Sequence, residues 1–119
     1  MRLSKNEKFN FGLYKGYDVG IIYLFDSRYI EWCIENIDDF CIVDLDELLK
    51  YNIFNNYTAI EGKRGIGIPN IVVGIDIFET FDDLVSNIGN QIKIDNKLKG
   101  KYKTVFKPET LQLNRERIG

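Results

Sequence analysis

Apolar residues recur at helical spacing most clearly in one segment, where Ile30, Cys33, Ile34 and Ile37 stand at i, i+3, i+4 and i+7 among Arg28, Glu31, Glu35 and Asp38. That period predicts an amphipathic helix with one core-facing stripe. Asp26 or Ser27 is placed to cap it. Tyr29 and Trp32 are expected to widen the stripe, with the Trp32 indole buried against an N-terminal strand. A second helix is expected behind Thr80, over the stripe Phe81, Leu84, Val85 and Ile88. Asp83 takes the reciprocal capping position there and Gly89 ends the helix.

Between these helices the pattern shortens. Phe9-Asn10-Phe11-Gly12-Leu13 alternates as a strand does, and Tyr14-Lys15-Gly16 offers a turn whose glycine adopts positive φ freely. Asp18 is placed to cap a helical turn over 19–24, although the Val, Ile and Tyr content suits a strand equally. Phe40-Cys41-Ile42-Val43 is a short apolar run, and Asp44 and Glu47 follow it at capping-box spacing before Leu45, Leu48 and Leu49. The β-branched run 71–78 predicts one buried strand. Beyond Gly89 the period becomes two, with Ile92 and Ile94, then Tyr102, Thr104 and Phe106, predicting strands with a turn near Lys99-Gly100. The polar stretch after Pro108 is expected to fray. The sum is an α+β chain, with a small mixed or antiparallel sheet packed with two or three short helices.

At 119 residues, with eight Phe, seven Tyr and one Trp, the chain suffices for one self-supporting domain spanning 1–119. Asn52, Asn55 and Asn56 mark the internal boundary at which it would divide into a 1–50 unit and a 51–119 α+β unit. Cys33 and Cys41 sit among apolar neighbours and read as buried free thiols. No segment resembles a secretory signal or approaches ~18 uninterrupted apolar residues, so the expectation is a cytoplasmic protein without a membrane partner.

Histidine is absent, which removes the commonest general base, the commonest transition-metal ligand and every His-dependent triad. The run Phe40-Cys41-Ile42-Val43-Asp44-Leu45-Asp46 resembles the first metal-binding motif of four-carboxylate exonucleases. Two-metal chemistry needs further carboxylates and a water-positioning His or Tyr, however, so helix capping by Asp44 is the preferred reading. Gly62-Lys63-Arg64-Gly65 fits the G-x-x-G loop of KH domains, yet Gly67, Pro69 and the Ile-Val-Val run forbid the helix such a loop must open. A surface turn is the simpler reading. The expectation is therefore no catalytic residue, no metal, no cofactor and no enzyme.

Charge divides unevenly although the net is only −2. Residues 26–50 hold two basic against eight acidic groups, and residues 93–119 eight against three. Lys97, Lys99, Lys101, Lys103 and Lys107 form a basic stripe that suits a phosphate-tracking strand or, more simply, a sheet edge protected from aggregation.

Phe11-Gly12-Leu13-Tyr14-Lys15-Gly16, followed by Tyr29-Ile30-Glu31-Trp32-Cys33-Ile34, resembles the exodeoxyribonuclease X-like C-terminal domain over roughly residues 7–45. That family reads Phe-Gly-Lys-Tyr-Lys-Gly and then Tyr-x-x-Trp, and Leu13 replaces its first lysine. The resemblance implies a non-catalytic accessory module associated with nucleic acid. Phe11, Gly12, Gly16, Tyr29 and Trp32 would be its structural motif. On this reading Tyr14 would be a stacking surface, and Lys15 and Arg28, joined by Lys99, Lys101 and Lys103 of the basic tail outside the resemblance, phosphate contacts toward single- or double-stranded nucleic acid. The alternative is a protein-interaction or self-association module, using Glu31, Glu35, Asp38 and Asp39 against a protein partner or in a homodimer. Net charge favours that alternative.

Overall fold

Seven consecutive residues, Val19–Phe25, are buried on every side and form α1, the helix around which the rest packs. A helix apolar all round is stable only when covered all round. The computed structural model describes residues 1–53, 60–61, 70–73, 76–92 and 106–119. Helix is the outcome for 19–25 because its first amides find partners: Val19 N–H donates to Glu7 O at 2.9 Å and Gly20 N–H to Lys5 O at 2.8 Å. Glycine is needed at position 20, since a Cβ would lie 2.6 Å from the Phe81 ring and 3.0 Å from Lys5 O.

Asp18 precedes α1 without capping it by its side chain. Its buried carboxylate accepts instead from Phe81 N–H at 2.8 Å, the first amide of the helix Phe81–Ile92, and from Lys8 Nζ at 2.8 Å. One acid thus joins the N-terminal loop, α1 and a helix far along the chain.

The helix α2, Ser27–Asn36, follows after one residue, Asp26, whose N–H closes α1 on Ile22 O. Ile30, Cys33 and Ile34 are fully buried and Ile37 is half-buried, as the period requires. Trp32 is not in the core: the residue is 52% exposed, contrary to the expected burial. At ~100° per residue Trp32 points roughly 150° from the middle of the apolar stripe, so the helix cannot bring it to the same side.

Residues 9–13 form no strand. Gly12 and Gly16 take φ of +71° and +92°, and Phe9 pairs with Tyr17 O and Gly16 N–H instead, so the segment closes into a loop. The turn at Tyr14-Lys15-Gly16 is present, with Tyr17 N–H donating to Tyr14 O at 3.0 Å.

β1, Arg2–Leu3, pairs in parallel with β2, Cys41–Ile42, in the register Arg2↔Cys41 and Leu3↔Ile42. After β2 comes the short helix α3, Leu45–Leu48. Asp44 and Glu47 do not make a capping box there. Lys5 takes both, its N–H donating to Asp44 Oδ1 at 2.9 Å and its Nζ pairing with Glu47 Oε2 at 2.8 Å. Glu47 holds the Lys5 ammonium above its ordinary value, and Lys5 holds the Glu47 carboxyl below its own.

β3, Ile60–Glu61, β4, Asn70–Val73, and β5, Asp76–Phe78, form a separate antiparallel sheet in the order β3-β4-β5. The run 71–78 is therefore two strands, not one. Val73 pairs with Asp76, in antiparallel register.

α4 is the helix Phe81–Ile92 already met at Asp18. Thr80 caps it, its Oγ1 accepting from Asp83 N–H at 3.1 Å, and Phe81, Leu84, Ile88 and half-buried Val85 join the core. Gly89 does not end it. Ile88 leaves helical geometry at φ −126° and ψ 17°, marking a kink, and Ile92 belongs to the helix rather than to a strand.

The polar C-terminal stretch does not fray but forms α5, Pro108–Ile118, with proline in its first turn. It docks on α2 and β2 through polar groups. Thr110 and Asn114 are its buried residues, with Leu111 and Leu113 only partly covered. Apolar periodicity is silent about such a helix.

The class is α+β and mostly helical. Five helices are formed among the described residues, more than the two or three expected, and the two-stranded sheet β1-β2 is parallel where a mixed or antiparallel sheet was expected. Gly62-Lys63-Arg64-Gly65, Asn55, Asn56, Ile94, Lys97, Lys99, Lys101, Tyr102, Lys103 and Thr104 lie outside the described residues.

Candidate binding surface

Two glycines shape the loop before α1 so that its aromatic rings meet α2. Gly12 is held in the left-handed region, and a Cβ there would lie 2.5 Å from the Tyr29 hydroxyl. Tyr29 is the hub of the cluster. Its ring meets Tyr14 edge-on at 4.9 Å and Phe9 at 5.6 Å, and Trp32 stacks along it at 6.2 Å with 18° between planes. Phe9 in turn lies parallel to Phe40 at 6.4 Å, and Phe11 meets both edge-on. The two sequence segments of the motif are thus one packed unit in space. Burial, with Cys33 beside it, pushes the Tyr29 hydroxyl above its ordinary value.

Tyr14 is not the exposed stacking surface that the sequence suggested. It is only 8% exposed, and its hydroxyl donates to Asp26 Oδ2 at the junction of α1 and α2. Its role is to fasten the turn. The accessible ring of the cluster is Trp32, one face against Tyr29 and half its surface open.

No family model, curated protein or solved structure matches this chain.

Lys15 and Arg28 are both exposed. Neither has an ion-pair partner among the described residues, whereas Lys5, Lys8, Lys107 and Arg115 each do. Arg28 and Trp32 stand four residues apart on the outward side of α2, which makes them neighbours. Lys15 projects from the turn that Tyr14 fixes against Tyr29. Lys99, Lys101 and Lys103, the other expected phosphate contacts, lie outside the described residues.

The acidic side of α2 is occupied by the protein itself. Glu31 accepts from Lys107 N–H at 2.9 Å at the start of α5, and Glu35 accepts from Thr110 Oγ1 at 2.8 Å and pairs with Lys107 Nζ at 3.5 Å. An open pocket of about 350 Å³ lies here, lined by Glu35, Lys107, Glu109, Thr110 and Leu113. Asp38 and Asp39 remain exposed, with Asp39 at a left-handed φ of 62°.

Cys33 and Cys41 are free and buried, and burial pushes the Cys33 thiol up to about 11, far from the thiolate a nucleophile requires. Among the described residues no group of three His, Cys, Asp or Glu is gathered to hold a metal ion. No helix among them is long and apolar enough to cross a membrane.

Proposed function

We propose that this protein is a non-catalytic accessory binding module for nucleic acid, of the kind implied by its resemblance to the exodeoxyribonuclease X-like C-terminal domain. One observation carries the reading: Lys15 and Arg28 are exposed and have no ion-pair partner among the described residues, Arg28 lying one helical turn from Trp32 and Lys15 in the turn that Tyr14 packs against Tyr29. Exposed cations without acidic partners release counterions from a phosphate backbone at little cost to themselves. Lys5 and Lys8, already paired within the fold, would have to give up those contacts first.

The protein-interaction alternative has lost part of its surface, because Glu31 and Glu35 are engaged with α5 and only Asp38 and Asp39 remain of that acidic group.

Equilibrium binding to single-stranded and duplex oligonucleotides at two salt concentrations tests the proposal. Affinity should fall with salt, with each neutralised phosphate adding ~0.7 to 0.9 to the slope of log affinity against log salt. Lys15→Ala and Arg28→Ala should each remove about one unit of that slope. Absence of binding at low salt rejects the reading and leaves a protein partner as the better hypothesis.

A further inference from the structure

Trp32 breaks the rule that large aromatic rings in a small fold are covered, and it does so in an ordered way. An indole placed by chance on a surface would be free to rotate. This one is laid nearly parallel to Tyr29, which is itself held edge-on by Tyr14 and Phe9. Tyr14 is fixed in turn by its bond to Asp26, and Gly12 approaches the Tyr29 hydroxyl more closely than any side chain would allow. A row of supporting rings therefore backs a flat aromatic face that remains half open, and little side-chain entropy is left to lose when a second ring lands on it.

A flat, pre-positioned π-face suits another flat ring, and two exposed cations without an ion-pair partner among the described residues, Arg28 one turn away on α2 and Lys15 on the turn that Tyr14 packs against Tyr29, suit an anion. A ligand that offers both within one repeating unit is a strand of nucleic acid with its bases unpaired. In a duplex the base faces are stacked on each other and cannot reach a ring on a helix surface. We infer that Trp32 is a base-stacking platform, with Arg28 and Lys15 on the adjoining phosphates, and that the ligand of this surface is single-stranded nucleic acid. The inference rests on the nucleic-acid reading above and narrows it to one substrate class and one ring.

Because Trp32 is the only tryptophan of the chain, its fluorescence reports on that ring alone. The experiment titrates the full chain with a short thymidylate oligomer, a uridylate oligomer, a duplex of the same length and an abasic strand of equal charge. Both base-bearing single strands should quench Trp32, whereas the abasic strand and the duplex should bind more weakly and leave its emission unchanged. Trp32→Ala should weaken single-strand binding about 5- to 100-fold while keeping the salt slope. Lys15→Ala should lower the slope while keeping the quenching. Circular dichroism of Trp32→Ala should match the parent, since the residue lies outside the core. Binding without quenching, or equal loss of single-strand and duplex affinity in Trp32→Ala, overturns the platform and leaves the broader nucleic-acid reading standing. Absence of binding by any strand overturns both, and so does Trp32 emission that shifts with protein concentration alone, which would assign the ring to self-association.

Discussion

The side-chain amide of Asn114 pairs with both backbone groups of Ile42, accepting from its N–H at 2.8 Å and donating to its C=O at 3.0 Å. Cys41 and Val43, on either side, donate their N–H groups to Met1 O and Leu3 O, so Ile42 faces the open edge of the parallel pair. Asn114 stands there as a one-residue substitute for a third strand. Asn114→Ala should leave two buried backbone groups without partners, each costing ~1 to 3 kcal/mol. Urea unfolding is the measurement, and the midpoint should fall at constant slope.

Asp18 performs a related task at longer range, since its carboxylate accepts the first amide of α4 from a position 63 residues earlier. Asp18→Ala should cost ~1 to 3 kcal/mol, because Phe81 N–H is buried with it. Asp18→Asn keeps an acceptor and should cost less. Lys8→Ala, which removes only the exposed partner of the same acid, should cost under ~1 kcal/mol. If Lys8→Ala proves as damaging as Asp18→Ala, the ion pair and not the helix amide is what the acid serves.

Much of this was legible in the chain and some was not, for separable reasons. The stripe Ile30, Cys33, Ile34 and the Thr80 cap were read correctly because helical period and capping are local properties. α5 was missed because its buried positions are Thr110 and Asn114, whose partners Glu35 and Ile42 lie more than 70 residues away. Trp32 was misplaced although the sequence held the signal. Its position on the helical wheel opposes the stripe, and the assumption that indoles are buried overrode it. Tyr14 shows the reverse error: nothing in Tyr14-Lys15-Gly16 announces that the hydroxyl reaches Asp26, so the ring looked free for a ligand. The motif's two segments were read as one unit, and they do pack together around Tyr29, but the exposures of its rings were reversed: Tyr14 is buried and Trp32 exposed.

Cys33 gives a prediction in the alkaline range. Its thiol is pushed up to about 11 by burial, above its ordinary value of 9.0. In the unfolded chain the thiol ionises first, so the stability that goes with a neutral Cys33 is fully present below about pH 9 and is lost as pH rises toward 11. Thermal melts between pH 8 and 11 should show a declining midpoint, shallower in Cys33→Ala after allowance for that variant's own packing loss. Alkylation of either cysteine at pH 8 should require unfolding, because both are fully buried. Rapid modification of the native protein would contradict the packing described here.

Arg117 offers the sharpest test of how α5 is held. Its Nη1 donates to Ile34 O at 2.7 Å, Ile37 O at 3.2 Å and Phe40 O at 2.7 Å, gathering the carbonyls at the C-terminal end of α2 and just beyond it. A cation there also meets the negative end of the helix dipole. Arg117→Ala should cost ~2 to 3 kcal/mol, at the upper range for hydrogen bonds to a charged group. The more informative measurement is the double variant with Asn114→Ala. Both residues lie on one helix that buries little apolar surface, so loss of either should loosen the whole of α5. Once α5 has lifted, the second substitution has little left to remove. The double variant should therefore fall short of the summed single losses by ~1 kcal/mol or more. Full additivity would mean that the two contacts act independently, and that α5 stays docked on α2 when its hold on β2 is gone.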